Sequence, residues 1–539
     1  MNLNSNLNLN QTPPHSLSFW IALSAFWCEL SQHERWAIIA FLVLKWVLLL
    51  HVPLTGDEAY FIVWGQSLSL GYYDHPPMVG WVLWVLNGFG TGVLDYLVVY
   101  RLFAYLAAIV IAYVLYQALQ LHPSIPSKTA FYVALAFLVS PISLMFVVTA
   151  NDTVLVFFAV LGFYFYAKAL AQPSVFHAIL AGVFLGLAFL SKYFAAFMLL
   201  GLFLYSLVFI RQIVWKHFLL MTAVVLLFVA ENMYFNATHC WNNILFNFFS
   251  RTTDSSFDIG NVLSYVLMIL ALLSPLGVFY WVKSFCGASQ KTQNNTYKNI
   301  SPPLFKQVLF ATLPLLAILL LVSFTNSVGL HWPLLSVTLL YLLYARLSLV
   351  QLRKVLLFNV YSSFVLGALL LLALAFVSQL IPDSQKHHVA VYTQPEKVCA
   401  QLPESTFFTL GYSSQSVLSY HCQNDDIHVF MSTSKYGRED DKKTNFKAMD
   451  GQDLTLFVTH KKEIKKLEPF FKHLIVEPFE IEEGVTYYLV QGVGFDYKTY
   501  HQKILTVVNE QFYTPPEWFP KIAEWLGVEG CGFKTQYGF

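Results

Sequence analysis

Trp36-Ala-Ile-Ile-Ala-Phe-Leu-Val-Leu-Lys-Trp-Val-Leu-Leu-Leu-His51 leads within three residues into Leu54-Thr-Gly-Asp-Glu-Ala-Tyr60. The first stretch is a credible membrane span; the second is a burst of charge at its end. Lys45 inside the span has to pack within a helix bundle or snorkel to a headgroup. Apolar runs of comparable character recur at 97–119, 128–150, 152–171, 175–191, 193–210, 216–235, 261–282, 305–324, 329–345 and 355–379. The pattern predicts a polytopic α-helical membrane protein with about 11–13 transmembrane helices.

Composition agrees. Of 539 residues 57% are hydrophobic, 17% aromatic and only 12% charged, as expected of a chain solvated largely by lipid. A formal net charge of +1 gives no electrostatic footprint for nucleic acid. Residues 1–35 form a polar, Asn-rich segment around an apolar piece too short to span, residues 36–380 the membrane domain, and residues 381–539 a mixed-charge region. That last region alternates in Leu454-Thr-Leu-Phe-Val458 and Thr486-Tyr-Tyr-Leu-Val490, which predicts a soluble α/β or α+β domain. The six cysteines show no zinc spacing and read as buried small hydrophobes, although Cys399 and Cys422 would be free to pair in an oxidising compartment.

Orientation follows from the basic residues. Lys128, Lys168, Arg211, Lys216, the 283–306 loop, Arg346, Arg353 and Lys354 fall at span ends of one parity, which the positive-inside rule assigns to the cytoplasm. Asp57 through His75, Asn151-Asp152, Lys192, the 236–259 loop and His331-Trp332 then share the outer face. With eleven spans the C-terminal domain lies there too.

Several of these residues carry chemistry. Asp57 or Glu58 can accept a proton from a hydroxyl or help hold a cation, or the two can be a solvated pair or partner Arg101. In Asp74-His-Pro-Pro77 the prolines present an acid and an imidazole rigidly; Asp74 can ligate a metal or cap the next helix, and His75 can engage a phosphate. Lys192, set between two apolar runs, needs an anion, either an internal carboxylate or a lipid-linked phosphate. Arg101 and Arg251 can add positive charge, while Tyr72, Tyr73, Asp152, His239 and Trp241 are sugar-binding types.

Thr55-Gly-Asp-Glu-Ala-Tyr60, Gly71-Tyr-Tyr-Asp-His-Pro-Pro-Met78, Leu187-Ala-Phe-Leu-Ser-Lys-Tyr193 and Gly329-Leu-His-Trp-Pro333 resemble successive motifs of integral-membrane glycosyltransferases. Those are typified by 4-amino-4-deoxy-arabinose lipid A transferase and protein O-mannosyltransferase, and the resemblance covers residues 36–380. Lys435-Tyr-Gly-Arg-Glu-Asp-Asp441 and Tyr513-Thr-Pro-Pro-Glu-Trp518 look like the tails of bacterial relatives. The resemblance implies a GT-C fold and sugar transfer, with inversion, from polyprenyl (undecaprenyl) phosphate to lipid A or another envelope lipid. A protein hydroxyl is the alternative acceptor. The implied setting is a bacterial inner membrane with the site and C-terminal domain in the periplasm, and the implied state a monomer.

By the same resemblance Asp57 and Glu58 fall at the reacting centre. Asp74 falls on a metal-holding acid, with His239 as second ligand to a divalent Mg2+, Mn2+ or Zn2+. From the residues and the resemblance together, donor phosphate and substrate contacts are expected of His75, Arg101, Lys192, Arg251, Tyr72, Tyr73, Asp152, His331 and Trp332. His75 stands where the lipid A enzyme has lysine, and the 232–241 segment lacks the relatives' proline and first tryptophan. A transporter or a non-transferring lipid-sugar binding protein would also have many spans, but no inverted repeat is evident.

Overall fold

In lipid the backbone can satisfy its polar groups only internally, so each long apolar run is driven into a helix. The computed structural model describes residues 24, 26–89, 95–249, 257–286, 303–431, 433, 444–482, 484–528 and 531–539. Of the features named above, residues 1–23, Arg251 and the whole 435–441 motif lie outside the described residues.

The membrane part consists of α1 (Gln32–His51), α2 (Gly56–Gly65), α3 (Met78–Asn87), α4 (Tyr96–Gln120), α5 (Ser127–Leu138), α6 (Asn151–Ala171), α7 (Val175–Ser191), α8 (Ala195–Val208), α9 (Trp215–Thr238), α10 (Asn242–Phe248), α11 (Ile259–Leu272), α12 (Pro275–Cys286), α13 (Pro303–Ser323), α14 (Leu334–Leu340) and α15 (Leu349–Ala375). Among the described residues α4, α6, α9, α13 and α15 are long and apolar enough to cross a membrane. The pairs α1–α2 and α11–α12 qualify as broken spans, bent by 76° and 88°. Shorter apolar helices of 10–17 residues complete the set, at α3, α5, α7, α8 and 334–346. Every run expected to span therefore meets an apolar helix, but 261–282 is not one straight span. It breaks at Ser274, whose φ of 69° is left-handed, and Pro275 opens the next helix.

Local signals explain the starts. Ser31 and Glu34 form a reciprocal capping box on α1. Glu34 also accepts two bonds from the Arg353 guanidinium, at 2.8 and 2.7 Å, tying α15 to α1. α8 and α13 touch backbone to backbone at Gly201, where a Cβ would sit 1.8 Å from the Phe310 carbonyl oxygen.

The C-terminal part carries α16 (Asp383–Thr393), α17 (Tyr412–Cys422) and five strands: β1 (Phe407–Thr409), β2 (Ile427–Val429), β3 (Leu454–Val458), β4 (Phe471–Glu482) and β5 (Val485–Phe495). Both alternating stretches are strands, as expected. The sheet order is β2-β1-β3-β5-β4, with β1 parallel to β2 and β3, and β5 antiparallel to β3 and β4.

This domain is welded to the membrane part. Its core of Phe408, Phe430, Phe446 and Tyr500 continues through Phe512 to Tyr73 and Phe246, both contributed by the membrane segment. Two disulfides stand in this region, Cys399–Cys422 and Cys240–Cys531. The second corrects the reading of Cys240 and Cys531 as plain hydrophobes: residues 291 positions apart meet only through the tertiary fold. α17 docks on α2 because Gly56 lacks a side chain; a Cβ there would lie 2.7 Å from Ser413.

Candidate active site

Thr55 caps α2, its hydroxyl accepting from the Glu58 N–H at 3.2 Å, so Asp57 and Glu58 occupy the first turn, where the helix end favours negative charge. Consecutive residues on a helix point about 100° apart, from 3.6 residues per turn. Asp57 is accordingly exposed and Glu58 buried. The Tyr412 hydroxyl, arriving on α17, donates to Asp57 Oδ1 at 2.6 Å. Sequence reasoning missed Tyr412, since nothing near it signals a partner 355 residues away.

Glu58 and Arg101 are committed to each other. The guanidinium donates to both Glu58 oxygens, from Nε at 2.8 Å and Nη2 at 2.6 Å. It also donates to the carbonyls of Leu49, Val52 and Pro53, closing the end of α1 where backbone acceptors would otherwise be orphaned. Glu58, expected as a catalytic group, and Arg101, expected as a phosphate contact, are thus engaged with each other. Both side chains are 1% exposed and the guanidinium is spent on internal acceptors.

The 71–77 loop is pinned from below and above. Tyr72 stacks on Trp64 at 4.6 Å and donates to the carbonyls of Trp64 and Ser67. Tyr73 is fully buried among Phe246, Phe512 and Tyr513. The rings of both, expected as sugar contacts, are covered by protein. Asn243 donates to the Tyr72 carbonyl at 3.1 Å and Asn247 to the Asp74 carbonyl at 2.6 Å; these α10 carboxamides also escaped the sequence reading. His75 lies against Phe61 and Trp64 of α2. Asp74 does not cap α3, whose N-cap is Pro77.

Lys192 finds an internal carboxylate. Its Nζ donates to Asp152 Oδ1 at 2.8 Å and Oδ2 at 2.9 Å, and lies 4.8 Å above the Phe194 ring. His331 Nε2 stands 3.7 Å from Asp152 Oδ2 with its side chain 43% exposed, and Trp332 packs edge-on against Phe194. Loops separate in sequence and assigned to one face thus meet. Next to Lys192, Tyr193 donates to Asn232 at 3.0 Å, accepts from Asn236, and reaches Phe248 on α10. α2 thus bears Asp57 and packs on His75, while α10 holds the 71–77 loop and reaches Tyr193, the neighbour of Lys192.

His239 does not join Asp74 in a metal cage. Its Nδ1 pairs with the Phe235 carbonyl at 2.9 Å and its ring stacks on Phe235. Among the described residues no group of three or more His, Cys, Asp or Glu is arranged to hold an ion. The adjacent Cys240 and Trp241 both have left-handed φ, of 56° and 60°, a strained turn held by the Cys240–Cys531 bond and by stacking of Trp241 on Phe519.

Comparison with known proteins places this geometry. The family model described as dolichyl-phosphate-mannose-protein mannosyltransferase matches residues 74–235, a segment holding Asp74, His75, Asp152 and Lys192. Over 148 residues the chain is 32% identical to lipid A galacturonosyltransferase RgtD of Rhizobium johnstonii, a match spanning 27% of this chain and 30% of that relative. Crystal structures of ArnT from Cupriavidus metallidurans superpose with TM-scores of 0.60 (bound to undecaprenyl phosphate) and 0.58 (apo), each at 14% identity over 88% of this chain and 98% of that one. The chain has the GT-C fold anticipated from its motifs.

Proposed function

We propose that this GT-C-fold membrane protein is an inverting glycosyltransferase. It moves a sugar from a polyprenyl phosphate, undecaprenyl phosphate in a bacterium, to a hydroxyl of lipid A or a related envelope glycolipid. One observation carries the reading: α2, which bears the exposed carboxylate Asp57, packs on His75 of the 71–77 loop, and α10 links that loop to Tyr193 beside the Lys192–Asp152–His331 cluster. The names of the relatives support it, being transferases of lipid-carried mannose and of galacturonic acid to lipid A, and a structure holding undecaprenyl phosphate.

In this mechanism Asp57 takes the proton of the acceptor hydroxyl. The hydroxyl oxygen attacks the anomeric carbon from the side opposite the phosphate. The carbon–oxygen bond to phosphate breaks and its electron pair leaves with the polyprenyl phosphate. Lys192, shared with Asp152, and His331 meet the leaving charge, an electrostatic contribution that grows in the transition state. The periplasmic assignment rests on the basic-residue parity and on the two disulfides, which persist in an oxidising compartment.

Release of free undecaprenyl phosphate from a lipid-linked sugar by purified protein is the direct test. Asp57→Asn is expected to lower turnover by about 10²–10⁴-fold, the usual worth of a positioned acid or base. Near-unaltered turnover would sink the assignment, and no release by the wild type would favour a transporter or binding protein. The matched mannosyltransferase model favours a second acceptor, a protein hydroxyl. Label recovered in protein rather than lipid decides for it.

A further inference from the structure

Behind Tyr412 lies a cleft of about 250 Å³ that none of the expected site residues enters. Its wall includes His388 and Tyr392 of α16, Tyr412, Ser413 and Ser414 of α17, and Thr459 after β3. Five hydroxyl-bearing residues and one histidine line it, with no carboxylate or lysine among the lining residues. The volume falls just below the roughly 300–1,000 Å³ of sites for drug-sized molecules, a scale that suits a single sugar ring.

The cleft opens beside the candidate base. Tyr412 both lines it and donates to Asp57 Oδ1 at 2.6 Å. Ser413, also in the wall, presses against Gly56, the residue before Asp57. The Tyr392 phenol is pushed up chiefly by burial, with the charge of Asp57 adding to the shift and its bond to Ser413 opposing it, so Tyr392 too stands within electrostatic range of that carboxylate.

We infer that this cleft is the acceptor subsite: it holds the hydroxyl-bearing saccharide ring of the acceptor, which displaces the Tyr412 hydroxyl from Asp57 and offers its own in that place. The inference deepens the glycosyltransferase reading and rests on it. It makes the C-terminal domain half of the active site, with the membrane domain supplying the carboxylate and the leaving-group contacts. Tyr412 holds Asp57 in orientation until the acceptor arrives.

The test uses the full chain in nanodiscs, with purified lipid A and undecaprenyl phosphate titrated separately and thermal unfolding recorded for each variant. Thr459→Trp fills the cleft and is expected to weaken lipid A binding by about tenfold or more while undecaprenyl phosphate binds as before. Thr459→Val removes a hydroxyl without adding volume, serves if tryptophan is not accommodated, and is expected to weaken lipid A roughly threefold. Unchanged lipid A binding in a folded variant overturns the inference, as does a loss confined to undecaprenyl phosphate. Failure of the wild type to bind undecaprenyl phosphate would strike the functional reading itself, a separate result.

Discussion

Two buried ion pairs stand near the ends of spans in this protein, and they differ in what surrounds them. Glu58–Arg101 is closed, with both side chains 1% exposed and the guanidinium also shared among three backbone carbonyls. Lys192–Asp152 is less closed: its members are 6% and 7% exposed, and the partly exposed His331 borders the carboxylate. The planar fork of arginine suits many fixed acceptors, whereas a lysine ammonium is a compact charge on a flexible stem that can turn to a new anion. The first pair ties a broken span to its neighbour; the second is proposed to exchange its partner for the leaving phosphate. A charged residue in a membrane protein is thus read by the acceptors around it, and the same charge in sequence carries either role.

The largest expected effect breaks the closed pair. Arg101→Ala strands Glu58 and three carbonyls, and is expected to cost about 3–5 kcal/mol, read as a fall in folded yield and in the unfolding midpoint in detergent. A variant of wild-type stability would mean that the pair is not what fixes the α1–α2 bend.

Breaking the second pair should act on chemistry. Lys192→Met is expected to lower donor turnover by about 10²–10³-fold, the loss seen when a single preorganised charge donor is removed. It also leaves Asp152 buried without its partner, so the double change Lys192→Met with Asp152→Leu sharpens the point. The double variant should regain most of the unfolding midpoint and none of the turnover. Recovery of turnover along with stability would make this pair structural like the first.

His331→Ala, which spares the ion pair, is expected to raise the KM for the lipid-linked donor by a few-fold, about the worth of one partly exposed contact, with little change in stability. An effect on the unfolding midpoint instead would place His331 in the fold.

The smallest effect is a control on pH. His460, in ring contact with His387 and His388, is held below the usual histidine value of 6.5 by burial, then by those two imidazoles; Lys462 acts in the same direction and Glu463 opposes them. Its folded form binds a proton less readily than the unfolded chain. Its contribution is therefore complete above pH 6.5 and falls as pH drops below it. A small acid-side loss of stability should shrink in His460→Gln. Any part that survives would point to His421, which burial also holds below the usual histidine value.

Much was legible beforehand, for definite reasons. Periodicity and length located the apolar helices, because lipid leaves the backbone no alternative, and both alternating strands formed where expected. The motifs carried the GT-C resemblance. Basic-residue parity brought Asp152, Lys192 and His331 to one face, and there they meet. The bend at Ser274 escaped notice, since hydropathy does not register a left-handed φ.

What the chain determined by itself was which residues lie in lipid and which scarce charges share an end, since burial of apolar surface and backbone satisfaction depend on local composition. Only the tertiary structure decided which charges spend themselves on each other. Arg101 against Glu58, Cys240 against Cys531 and Tyr412 against Asp57 are pairings across 43, 291 and 355 positions. No local preference encodes such partners; they follow from how helices bend and how one domain docks on another.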